Sequence, residues 1–111
     1  MRVGVILMTG HSQNDDILYI ILLSIKKGKQ LTESVIREHI SFLRKLEDKN
    51  QLVLCGPFLD YKGGMIIIRA KSMDEAKAIA ESDPFIISGL EDYEIRTMEV
   101  SSEENNHLGM G

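Results

Sequence analysis

Between Asp16 and Ile25 the chain reads "DILYIILLSI", and from Met65 it reads "MIII". Both stretches are short and rich in β-branched residues, which predicts strands. A strand sends successive side chains to opposite faces of its sheet. Ile17 to Leu23 is apolar at both parities, and so is Met65 to Ile68. Both faces of these strands are therefore expected to be dry. That excludes a sheet with one face in water, where apolar and polar residues alternate. The chain has 111 residues, enough for one domain and little more, so cover for the second face has to be accounted for.

The polar run "KKGKQ" closes the first strand. Thr32 is placed to cap a helix running to about Lys49, with Glu33 in its first turn suiting the helix dipole. Val35, Ile36, His39, Ile40, Phe42, Leu43 and Leu46 recur at three- and four-residue spacing and define one apolar stripe. "QLVLCGPFL" predicts a second strand ending at Gly56-Pro57, and "DYKGG" separates it from the third, "MIIIRA", as a hairpin. Ser72 and Glu75 have the spacing of a capping box. The helix they open carries Ala76, Ile79, Ala80 and, in the same phase, Asp83, before Pro84 discourages its continuation. "FIISGL" leads through Gly89 to a last strand, "YEIRTMEV".

The order βαββαβ predicts an α+β, ferredoxin-like protomer: an antiparallel four-stranded sheet with two helices on one face. Two helices cover one face only. We expect the other to be covered by a second copy, as a homodimer with sheets packed face to face. The alternative is that the N-terminal segment folds across it. Residues 1–15 are set apart as an extension of unknown role, 16–100 as the domain, and 101–111 as a polar tail without expected order.

Composition narrows the function classes. Net charge is −4, with Glu103 and Glu104 in the tail supplying two of the negatives, so there is no basic footprint for nucleic acid. The third strand also lacks the aromatic residues that an RNA-binding sheet stacks on bases. The longest apolar run, Ile17 to Leu23, is far short of the roughly 20 residues of a membrane span, and "MRVGVILMTG" lacks the length and cleavage pattern of a secretory signal. The one cysteine, Cys55, excludes an internal disulfide and favours the cytoplasm. No metal-ligand spacing, P-loop or GxGxxG occurs, so neither metal nor organic cofactor is expected.

Three histidines are present. His11 and His107 lie in polar stretches and read as solvated. His39 is different, because it interrupts the apolar stripe of the first helix. It is either a core histidine bonded to a carbonyl or an imidazole opening into a cleft. Asp83 has two readings as well. Asp-Pro initiates turns, and an aspartate can cap the "PFII" turn after it. Yet both helices lie on one face of the sheet, so residues on their inward stripes can approach one another. A carboxylate bonded to one imidazole nitrogen fixes the tautomer and raises the basicity of the other. Cys55, with no base beside it in sequence, reads as a packing residue. "KKGK" reads as a solvated loop, and "GPF" at Gly56–Phe58 as a turn.

"REHISFLRKL", "LVLCGPF" and "SMDEAKAIAESDPFIISGL", taken together and in order, resemble the YciI-like (YCII-related) family of small dimeric α/β-barrel proteins. The resemblance spans roughly Leu18 to Val100. It implies a ferredoxin-like protomer, a barrel-like dimer and a pocket holding a His/Asp pair. Carried onto this chain, the pair is His39 and Asp83 as catalytic candidates, with Gly56, Pro57 and Phe85 shaping the substrate pocket. The implied activity is isomerase-, lyase- or hydrolase-like chemistry on a small organic acid or aromatic compound. The alternative is a non-catalytic ligand-binding dimer in which the pair is structural. "DKNQ" departs from the family pattern in lacking the usual glycine before the second strand.

Overall fold

Thr32 opens the first helix by accepting the Val35 N–H on its side-chain oxygen at 3.1 Å, which satisfies one of the free donors of the first turn. The computed structural model describes residues 16–109; the expected N-terminal extension, residues 1–15 with His11, lies outside the described residues. Strand β1 (Ile17–Ile25) is followed by helix α1 (Glu33–Asp48), strands β2 (Leu52–Pro57) and β3 (Gly63–Ile68), helix α2 (Met73–Glu81), one helical turn α3 (Pro84–Ile87) and strand β4 (Glu91–Glu99). Sheet order is β2-β3-β1-β4, and the neighbours are antiparallel. This is the ferredoxin-like α+β arrangement, two split βαβ units interleaved.

The end of α1 shows how the chain manages without the usual glycine. Asn50 takes the left-handed conformation (φ 58°), which asparagine tolerates better than most residues. The Gln51 N–H then reaches back to the Leu46 carbonyl at 2.8 Å, closing the helix. β3 starts two residues earlier than "MIII" suggests because Gly63 and Gly64 belong to it. A Cβ on Gly63 would run into the Leu23 carbonyl, and one on Gly64 would crowd the backbone of Gly56, so only glycine lets the strands close here.

Tyr19, Ile21 and Leu23 of β1 with Ile66 and Ile68 of β3 form the helix-facing side of the sheet. They are buried under Val35, Leu46, Ala76, Ala80 and Phe85. The stripe of α1 is narrower than its periodicity predicts: Ile36 and Ile40 are exposed. The opposite parity of β1, with Leu18, Ile20 and Leu22, lies on the other face. Register places Ile67 and Met65 beside it on β3, and Leu54 beyond them on β2. No described element covers this face. At its β4 margin Glu94 and Arg96 pair at 3.3 Å.

The described part of the tail folds back on itself locally. Asn105 donates to the Val100 carbonyl at 2.7 Å and accepts from Ser102 at 3.0 Å. Asn106, His107 and Leu108 follow in left-handed conformation. A small polar side chain returning to its own backbone suffices to hold such a turn without an apolar core.

Candidate active site

α2 stops at Glu81, and Ser82 caps it. Asp83 is therefore not part of the α2 stripe, as helical phase alone suggested. It stands in extended conformation as the N-cap of α3, with Pro84 in the first turn, where the missing proline N–H is no loss. The Asp83 side chain turns inward and is 1% exposed. One oxygen, Oδ1, accepts the Phe85 N–H at 2.9 Å and lies 2.8 Å from His39 Nδ1. The turn-capping and imidazole-binding readings of Asp83 thus coexist on a single atom.

His39 comes from α1, with its side chain 13% exposed. Its ring stacks on Phe85, centroids 3.9 Å apart and planes 14° apart, and Phe42 stands 6.1 Å away. A carboxylate at Nδ1 requires that nitrogen to donate, so the neutral ring carries its lone pair on Nε2. Nε2 makes no hydrogen bond to the described protein. The site can thus present a base whose orientation is fixed on one side by an ion-dipole bond and on one face by an aromatic ring.

Glu91, the first residue of β4, completes the buried polar set. It is 4% exposed. Burial pushes its carboxyl up to about 7, the Asp83 carboxylate adds to the rise and His39 partly offsets it. The sequence reading begins the last strand at Tyr93 and does not single out Glu91. The signal was the alternation Glu91, Tyr93, Ile95, which puts all three on the helix side once β4 is extended back by two residues.

Of the residues expected at a pocket, the structure brings together His39, Asp83 and Phe85. Gly56 and Pro57 sit exposed on β2, at the sheet edge opposite β4. Cys55 lies half-buried on β2, and burial together with Glu47 pushes its thiol up, away from nucleophilic reactivity. A groove of about 420 Å³ runs beside the pair, lined by Glu38, Ser41, Phe42 and Lys45 of α1 and by Ser82 and Pro84, the neighbours of Asp83. A concavity of similar size at the loop end of the uncovered face is lined by residues including Leu22, Ser24, Phe58 and Tyr61, and does not include the pair. Among the described residues, no group of three or more His, Cys, Asp and Glu is placed to hold a metal ion, and no helix is long and apolar enough to cross a membrane.

Comparison with known proteins agrees with this frame. The family model of the YCII-related domain matches residues 17–99. The uncharacterized protein YjpA of Bacillus subtilis (strain 168) is 30% identical over 79 residues, 71% of this chain and 93% of that protein. Among solved structures, a 5-chloro-2-hydroxyhydroquinone dehydrochlorinase from Burkholderia phenoliruptrix, in complex with 2,5-dihydroxybenzoquinone, superposes with a TM-score of 0.59. It is 24% identical, and the match covers 80% of this chain and 99% of that one.

Proposed function

This chain belongs to the YCII-related domain family, and from that premise we propose that it is a small-molecule enzyme in which His39 moves a proton and Asp83 orients and charges the imidazole. The observation that carries the reading is the His39 Nδ1–Asp83 Oδ1 contact of 2.8 Å, with Nε2 without a hydrogen-bond partner among the described residues. In an elimination, Nε2 takes a proton from the substrate while the leaving group departs with its bonding electrons. The imidazolium, stabilised by Asp83, then returns the proton to the leaving group or to solvent. In an isomerisation it returns the proton to another substrate atom. Phe42, which lines the groove beside the pair, offers an apolar wall for a flat ring. Together with the dehydrochlorinase likeness in fold, this favours a hydroxylated aromatic or quinone-like compound, or a small organic acid, as substrate. The reading requires neither metal nor organic cofactor.

The working assembly in this proposal is a cytoplasmic homodimer. Leu18, Ile20, Leu22, Met65 and Leu54 share the sheet face away from the helices, an apolar surface that a second copy would bury. A second reading has its own support. Asp83 is almost fully buried and caps α3, as a purely structural residue would, and a ligand-binding dimer would need no more.

The test is a thermal-shift screen of hydroxylated quinones, aromatic acids and lactone-like acids, followed by turnover of each hit. A stabilising ligand whose turnover collapses in His39→Asn supports the enzyme. Full turnover in that variant overturns the mechanism, and binding without turnover favours the accessory reading.

A further inference from the structure

Glu91 begins β4 on the side of the sheet that carries Tyr93 and Ile95, toward the helices. Its Oε1 is buried without a hydrogen-bond partner, and so is Oδ2 of Asp83. The two carboxyl groups lie within electrostatic reach of each other and of His39. Two carboxyls in one buried site do not both ionise freely, and one keeps its proton. Asp83 Oδ1 has two N–H groups directed at it, from His39 and Phe85. Among the described residues no donor is directed at the Glu91 carboxyl.

The other charged groups nearby are engaged elsewhere. Lys26, just beyond β1, pairs with Asp92 at 3.8 Å. Glu81 of α2 accepts the Tyr93 hydroxyl at 2.6 Å. Asp83 and His39 remain as the groups that act on Glu91.

We infer that Glu91 is a positioning residue of this site: its buried carboxyl, like Oδ2 of Asp83 left without a hydrogen-bond partner, acts through its charge on the His39–Asp83 pair. The site then has two charge states. The two states differ in whether the Glu91 carboxyl carries its proton or its charge. Groups this close titrate as a set rather than singly. The inference rests on the His39/Asp83 reading, but it is read out on Glu91 itself and needs no substrate.

Carbon-13 NMR of the glutamate carboxyls in the full chain tests it, with Glu91→Gln assigning the resonance. Glu91 is expected to titrate near neutrality. Asp83→Asn is expected to lower the midpoint by about half a pH unit or more, and His39→Asn to raise it, by loss of opposite neighbouring charges. A Glu91 that titrates in the ordinary carboxylate range of the unaltered protein overturns the inference. So does a midpoint that Asp83→Asn leaves in place. The measurement on the unaltered protein stands even where a variant fails to fold. The two readings fail separately. Turnover indifferent to His39→Asn, with Glu91 still titrating near neutrality, removes the catalytic reading and supports this one. An ordinary Glu91 in a protein whose turnover depends on His39 does the reverse.

Discussion

His39 Nδ1 and Asp83 Oδ1 meet at 2.8 Å although 44 positions separate the two residues in the chain. The contact links α1 to the turn that ends α2, and it buries a carboxylate beneath an aromatic side chain. Its two partners have different exposure and different obligations, so substitutions at the two ends are expected to behave differently.

At the His39 end, the Asn variant is expected to keep the fold and to lose about 10²–10⁴-fold in turnover, the usual range for one positioned acid–base group. Single-turnover rates on a substrate found by thermal shift check this. A loss below about tenfold argues against His39 as the base.

At the Asp83 end, stability should respond. Asp83→Ala leaves the His39 Nδ1 and Phe85 N–H donors unpaired and removes the cap of α3. The expected cost is about 1–3 kcal/mol, measured by urea denaturation. Asp83→Asn keeps an oxygen for one donor and is expected to cost less. Equal losses for the two variants would mean that the cap contributes little.

Glu91 makes stability depend on pH with a definite sign. Its carboxyl is raised from 4.5 to about 7 in the folded chain, so between those values the folded state binds more protons than the unfolded state. The contribution is fully present below about 4.5 and is lost as pH rises through about 7. From pH 5 to pH 8 the stability attributable to this group should fall by roughly 1–3 kcal/mol. Glu91→Gln should flatten that slope, as read from denaturation midpoints at a series of pH values.

The uncovered sheet face should hold two copies together. Light scattering at micromolar concentration is expected to give twice the protomer mass. Leu54, 58% exposed on the apolar field, contributes little to the protomer core. Leu54→Glu should therefore shift the mass toward monomer while leaving the circular dichroism spectrum unchanged. A monomeric unaltered protein would remove the second copy as the cover for this face.

Cys55 should react slowly. Burial and Glu47 hold its thiol up, so its modification by an aromatic disulfide reagent at pH 7 should be slower than that of a free thiol by about tenfold or more. Unfolding in urea should abolish the difference.

Strands and helices were legible because their signals are local. Thr32 and Ser72 cap their helices as their spacing indicates, and the two-faced apolar strands took central places in the sheet, between polar or glycine-containing neighbours. Asp83 was legible as a turn residue and, through its neighbours, as a partner for His39, but its route inward was not. Helical phase pointed it to the core, whereas the structure turns it there as the cap of α3, after α2 has ended. Glu91 was hidden for another reason. A carboxylate at a strand end ordinarily points to water, and only the closure of α3 over β4 buries it. Gly56 and Pro57, which the family resemblance offers as pocket residues, lie on the edge strand β2, a placement that their local turn chemistry does not indicate.

Pro57 has a different consequence there. It ends β2, an edge strand among the described residues, without an N–H to offer a further strand, and a bulge between Leu52 and Leu54 breaks the ladder just before it. The other edge, β4, carries Asp92, Glu94, Arg96 and Glu99 along its length. Neither margin is a good template for strand addition. Growth by this chain is thereby steered away from its sheet margins, so its assemblies are expected to close at a small number and not to propagate into fibres.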